Sequence, residues 1–307
     1  MTGALDHRYV LVARKTRFQE LVERFNTWPQ AKFYLEHSGV DASDYLREHD
    51  HYMDQITKAE RIMRPLGPFQ MLDRRYLSTY HFSPGDVVTV VGQDGLVANT
   101  LKYLEGQPVI GVNPDPDRWD GRLLPFTVDD LNEVLQATKA NNCKTTSVSF
   151  AEATSNLGDR MLAVNDLFVG PRSHTSARYQ LKWGESCETQ SSSGIIISTG
   201  FGSTGWFQSI LTGALGVVGM KTHPLSDGFP WDSDRLQFTV REPFPSRTTD
   251  TGVVFGEITR NKTLRLESLM PENGIVFSDG IEEDSISFNA GCIIEVSVSE
   301  TQGLLVV

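Results

Sequence analysis

Three short segments hold the residue types that could do chemistry on a phosphorylated substrate. Asp94 lies in Gly92-Gln93-Asp94-Gly95, directly after the apolar run 87–91. A carboxylate there could take a proton from an attacking hydroxyl. The flanking glycines permit positive φ and close approach of the backbone to a ligand. N–H groups of the turn and of a following helix can hold phosphate oxygens. A tight turn with a helix-capping Asp fits the spacing alone better. Asn165-Asp166 interrupts the apolar stretch 162–169. Adjacent strand residues face opposite sides, so one of the pair can be buried, where it needs partners that a ribose diol would supply. A β-bulge or strand-end turn fits the same pattern. Residues 199–206 (TGFGSTGW) follow Ile195-Ile196-Ile197 and lead into Phe207, Ile210, Leu211 and Ala214 at helical spacing. The N–H groups and hydroxyls of such a turn suit a nucleotide, while Ser203 or Thr204 would also serve as a helix N-cap.

The elements that must position these segments differ between the two halves. Residues 87–91 read as a central strand, 96–105 as a helix stopped by Gly106, and 108–112 as a second strand. That is one βαβ unit, which implies a parallel sheet. Around it, 9–13 and 69–72 read as strands, and 43–64 and 128–141 as helices. From residue 145 onward short alternating or apolar runs recur, at 147–150, 160–169, 178–183, 194–198, 236–240, 252–255, 263–266, 274–277, 285–288 and 293–298. One helix is expected at 203–215. The expectation is an α/β domain with a parallel sheet over 1–142 and a β-rich domain over 143–307.

Composition narrows the partners. The chain of 307 residues has a net charge of −11, so neither a nucleic-acid backbone nor an anionic membrane surface is expected as its main partner. Cys143, Cys187 and Cys292 are scattered, which suits reduced thiols in a cytoplasmic protein better than disulfides or zinc. Residues 1–14 lack the apolar core of a signal peptide, and no run reaches the length of a membrane span. His49-Asp50-His51 looks metal-like but falls on a polar helix and reads as a solvated face. Asp279-Gly280 reads as a hairpin turn, and Glu282-Glu283-Asp284 as a solvated loop. No G-x-x-x-x-G-K-[ST], G-x-G-x-x-G or G-x-S-x-G motif is present, which weakens readings as a P-loop NTPase, a dehydrogenase or an α/β-hydrolase.

Taken in order, the segments resemble the NAD kinase family, in which a G-G-D-G turn after a strand is followed by an N-E or N-D pair and a T-x-T-G-S-T-A-Y-like turn. Residues 108–113 (PVIGVN) with Asp115, 163–170 (AVNDLFVG), Ser192-Ser193-Gly194 and Arg241-Glu242-Pro243 look like its mitochondrial-type branch. The resemblance runs from about residue 87 to the C-terminus. It implies an α/β and a β-rich domain, a homodimer or homotetramer, NAD(H) and ATP or polyphosphate as substrates, and Mg²⁺ carried on the donor phosphates with no protein metal ligand. By position, Asp94 would be the general base for the ribose 2′-hydroxyl. Asn165 and Asp166 would hold the NAD ribose and amide groups, and Gly202, Ser203 and Thr204 would line the nucleotide pocket. Gly92, Gln93, Gly95, Asn113 and Thr199 complete the expected binding set. Gln93 stands where the family has its second glycine, and Leu96 where it has Thr. A side chain at a position needing positive φ costs on the order of 1 kcal/mol. Two other readings fit: a non-catalytic NAD(H)-binding regulator, and a lipid or sugar kinase of the same superfamily.

Overall fold

The computed structural model describes residues 7–140 and 142–307; the first six residues of the stretch read as lacking a leader, and position 141 of the expected helix 128–141, lie outside them. The chain forms two compact units, one of Met1–Thr146 with Leu304–Val307, the other of Ser147–Gly303. The division expected after residue 142 falls four residues later, and the last four residues return to the first unit.

The first unit is built on parallel strands. β1 (Arg8–Ala13), β2 (Phe69–Asp73), β3 (Asp86–Val91) and β4 (Pro108–Val112) lie side by side in the order β2-β1-β3-β4. All three pairings are parallel, and Leu304 and Leu305 add a parallel partner to β4. Every residue of β3 is buried, as a β-branched central strand covered on both faces should be. Among the described residues five α-helices accompany the sheet: α1 (Arg17–Phe25), α2 (Trp28–His37), α3 (Ala42–Met63), α4 (Asp94–Leu101) and α5 (Leu131–Lys139). Tyr52, Ile56, Ala59 and Met63 of α3, with Leu131 and Leu135 of α5, pack against Tyr9, Leu11, Val87 and Ile110 of the sheet. α3 matches the expected 43–64, capped by Asp41, whose carboxylate accepts from the Ser43 N–H at 2.9 Å. α4 starts two residues earlier and ends four earlier than expected. Gly106 (φ +96°) therefore marks a later turn and not the helix end.

The second unit is an antiparallel sandwich. Its strands are β5 (Thr145–Ser155, its first two residues in the other unit), β6 (Arg160–Ala163), β7 (Asp166–Pro171), β8 (Ala177–Trp183), β9 (Ser186–Ser192) and β10 (Ile195–Ser198). They continue, after the helix α6 (Trp206–Val218), with β11 (Arg235–Val240), β12 (Phe255–Thr259), β13 (Leu264–Ser268), β14 (Gly274–Ser278), β15 (Ile281–Ser287) and β16 (Ile293–Val306). One layer runs β16-β13-β8-β9 with the β5-β6 hairpin. The other runs β12-β11-β10-β7-β14-β15. Alternation sorts the side chains. Leu167, Val169, Ile195 and Ile197 join Tyr179, Leu181, Leu264 and Leu266 in the central core. Phe168, Ile196 and Ile275 point the other way and meet Trp206 and Ile210 of α6.

One expected strand is shortened here, and one strand carries no sequence signal, each for a physical reason. The strand expected at 252–255 begins only at Phe255, because the Glu188 carboxylate accepts from the Gly252 and Val253 N–H groups, at 3.2 and 3.1 Å. β9, whose sequence SCETQSS carries no apolar period, is held as a strand by β8, which pairs with it along its whole length.

Candidate active site

The sequence-predicted residues fall into two groups, one in each unit. In the first, β3 ends at Val91, whose carbonyl accepts from the Tyr52 hydroxyl at 2.9 Å; that hydroxyl accepts in turn from the Arg14 N–H at 3.0 Å. Burial pushes the Tyr52 phenol up to about 12, so it stays a donor at this strand end. The Gly92 N–H donates to the Val112 carbonyl at 3.2 Å. Gln93 is the N-cap of α4, with φ −115° and ψ 164°. This corrects the sequence expectation: the position does not need positive φ, and a side chain there is unstrained. Neither Gly92 nor Gly95 has positive φ. A Cβ on Gly92 would lie 2.9 Å from the Leu96 side chain, whereas one on Gly95 would meet nothing within 4 Å. Gly95 thus leaves exposed backbone and open space at the head of α4.

Asp94 is the first residue of α4 and is half-buried. It does not cap its own helix. Its Oδ1 accepts from the Leu123 N–H at 2.7 Å and its Oδ2 from the Arg122 N–H at 3.1 Å. Two fixed donors hold the carboxylate plane at the carboxyl end of a parallel strand, the edge where open α/β sheets bind ligands. Asn113 shapes the loop that supplies those donors. Its Nδ2 donates to the Trp119 carbonyl at 2.8 Å, its Oδ1 accepts from the Asp115 N–H at 3.0 Å, and its own N–H donates to the Phe126 carbonyl at 2.7 Å. The Asn113 amide, expected at the ligand, is occupied by its own loop.

In the second unit, the Asn165-Asp166 and 199–206 segments come together. The Thr199 N–H donates to the Asn165 carbonyl at 3.0 Å. The Thr199 hydroxyl donates to the Val164 carbonyl and accepts from the Gly202 N–H at 3.1 Å. A Cβ on Gly202 would overlap the Asn165 carbonyl, and one on Gly200 the Pro230 carbonyl. These glycines are required by close packing of backbone on backbone. Ser203 is fully buried. Its hydroxyl donates to the Gly200 carbonyl at 2.6 Å and accepts from the Phe229 N–H at 3.1 Å. Ser203 therefore builds the turn from inside, while Thr204 and Gly205 are exposed. Neither Ser203 nor Thr204 is the N-cap expected as the alternative, since α6 begins after Gly205 with no side-chain cap.

Asp166 is 8 % exposed, and no protein donor to its carboxyl group is found among the described residues. Burial, with the Asp279 charge second, pushes it up to about 7. Asn165 is half-buried. Asp279, read in the sequence only as half of a hairpin turn, grips this segment. Its Oδ1 accepts from the Asn165 N–H at 2.6 Å, the Val164 N–H at 3.1 Å and the Asp166 N–H at 3.3 Å. An Asp-Gly pair signals the turn whatever its side chain touches, so no residue pattern announces this contact. A polar cavity of ≈ 180 Å³ on the same unit is lined by Phe168, Ser193 and Arg241, among others. The Arg241 guanidinium lies 5.4 Å above the Trp206 ring.

His49 and His51 diverge, the first bonding Thr16 and the second the Pro114 carbonyl. Among the described residues, no three His, Cys, Asp or Glu side chains are grouped to hold a metal ion.

With a parallel α/β unit followed by an antiparallel β-rich unit, the chain has the fold of the NAD kinases. It superposes on an NAD kinase from Archaeoglobus fulgidus in complex with ATP with a TM-score of 0.54 at 15% identity, covering 98% of this chain and 93% of that one. On yeast NADH kinase complexed with NADH the TM-score is 0.59 at 14% identity, covering 98% and 83%. In sequence the chain is 28% identical over 219 residues to a probable NADH kinase of Oryza sativa subsp. japonica, a match that spans 64% of this chain and 63% of the rice protein. No family model matches. The fold class and the family resemblance read from the sequence are both borne out.

Proposed function

We propose that this chain is an NAD(H) kinase, moving the terminal phosphoryl group of ATP or polyphosphate to the 2′-hydroxyl of the adenosine ribose of NAD(H). The observation that carries the reading is the Asp94 carboxylate, half-exposed at the end of β3 and held by the Arg122 and Leu123 N–H groups. In the reaction Asp94 accepts the hydroxyl proton as the ribose oxygen bonds to phosphorus and the bridging P–O bond of the donor breaks. The uncrowded backbone at Gly95 and the first N–H groups of α4 bind donor phosphate oxygens. Asn165 and Asp166 hold the ribose and amide of NAD(H), on a turn fixed by Thr199, Gly202 and Ser203. Mg²⁺ on the donor phosphates would neutralise their charge; among the described residues no cage of carboxylates or histidines is grouped to hold it.

The extended backbone of Gln93 favours an active enzyme over a worn, non-catalytic relative, because the side chain strains nothing. Self-association is part of the proposal. The exposed end of α6, with Val217 and Val218 at 89% and 66% exposure followed by Met220 at 57%, is the apolar surface that supports it. We assign the protein to the cytoplasm, on its three scattered free thiols. No helix among the described residues is long and apolar enough to cross a membrane.

The test is an NADP(H) assay with NAD or NADH, Mg²⁺ and ATP or polyphosphate. Wild type should turn over, and Asp94→Asn should lose ~10²-fold or more while still binding NAD(H). Equal activity in both would remove Asp94 from the mechanism. Binding without product in wild type would make the chain a binding protein.

A further inference from the structure

The β14–β15 hairpin turns on two residues. Ser278 pairs with Ile281 across it, and Asp279 and Gly280 between them have φ of 54° and 73°. This is the backbone of a type I′ turn, in which an Asp is tolerated at positive φ. β14 pairs with β7, Ser278 opposite Leu167, and the Asp279 N–H donates to the Asp166 carbonyl at 3.0 Å. The hairpin tip therefore sits on the break between β6 and β7. At that break three successive N–H groups, of Val164, Asn165 and Asp166, converge on one point. Such a nest is an anion site, and the Asp279 carboxylate fills it.

We propose that Asp279 is a positioning residue for the Asn165-Asp166 pair: its carboxylate fills the 164–166 nest and fixes the backbone of the pair, so that Asp166 meets a ligand as a hydrogen-bond donor. The surroundings of Asp166 support this. β10 places uncharged Ser198 beside it, and the neighbouring residue of β14 is Ser278. Arg160 of β6 is paired with Glu152. Among the described residues Asp279 is the titratable group whose charge acts on Asp166, and it acts in the same direction as burial. A neutral carboxyl group can both donate and accept hydrogen bonds, so it can satisfy a carbonyl oxygen of the ligand that an ionised Asp166 would repel. This deepens the NAD(H)-binding reading of the site and, for its ligand part, rests on it.

The test has a ligand-free and a ligand arm. In the first, ¹³C NMR follows the Asp166 carboxyl group against pH in wild type and Asp279→Asn. The wild-type midpoint should lie near 7, and the variant's should fall by a pH unit or more. An unmoved midpoint in folded Asp279→Asn overturns the inference. If that variant does not fold, a wild-type midpoint below about 5 overturns it. In the second arm, NADH is titrated from pH 6 to 9. Its Kd for wild type should rise about tenfold per pH unit above the midpoint, and for Asp166→Asn, whose amide always donates, it should stay level. A wild-type pH profile in Asp166→Asn overturns the inference. If wild type binds no NADH, the NAD(H) reading fails while the first arm still decides the role of Asp279.

Discussion

Replacing Asp166 with Asn should change how the stability of the protein depends on pH, by an amount the structure sets. Asp166 is 8 % exposed, and burial moves its titration from 3.8 up to about 7. Between those values the folded state keeps a proton that the unfolded chain releases. Unfolding then becomes easier as pH rises, because the unfolded state binds fewer protons. The favourable contribution is complete below pH 3.8, falls through the interval, and is gone above about 7. Three pH units at ~1.4 kcal/mol each amount to ~4 kcal/mol, of which ~2 kcal/mol lies between pH 5.5 and 7. Asn has no proton to lose. The stability of Asp166→Asn minus that of wild type should therefore rise by ~2 kcal/mol from pH 5.5 to 7 and stay level from 7.5 to 9. Urea unfolding followed by far-ultraviolet circular dichroism, repeated across this range, gives the difference. A difference that is flat with pH, whatever its absolute size, would show that Asp166 is ionised in the folded protein and refute the reasoning.

Three further outcomes follow from the same geometry. Gly202→Ala should displace the 199–206 turn, since its Cβ would overlap the Asn165 carbonyl; NADH affinity should drop at least tenfold with the fold retained by circular dichroism, and unaltered affinity would show that the turn yields freely. Tyr52→Phe leaves the buried Val91 carbonyl and the Arg14 N–H without their partner and should cost ~1–3 kcal/mol in urea unfolding. Gln93→Gly relieves nothing at an extended residue and adds freedom to the unfolded chain, so it should lower stability by ~0.5–1 kcal/mol without raising NADP(H) production; increased turnover would mean that the side chain obstructs the donor.

Much of the fold was legible because burial writes a period into the sequence. The β-branched run at 87–91 is buried on both faces, and the alternation at 167–169 and 195–197 divides residues between core and helix. Boundaries were less legible where side chains replaced a ladder, as Glu188 does at Gly252 and Val253, or where a strand such as β9 has no apolar face. The three motif segments were found from residue types alone, yet several of their members do something different from what the pattern suggested. Ser203 and Asn113 spend their polar atoms inside the protein. Gln93 carries no strain.

By itself the sequence determined the order of elements, the acidic and glycine-rich turns at strand ends, and the Asp-Gly hairpin. These depend on local propensity and on periodic burial, which neighbours in the chain dictate. Only tertiary structure decided which carboxylate is held by backbone donors and which receives none among the described residues. Asp94 receives its two N–H groups from residues 122 and 123, and the 164–166 nest is filled by a residue more than a hundred positions away. A carboxyl group's protonation and orientation follow from what surrounds it in space, and the chain brings those surroundings together only by folding.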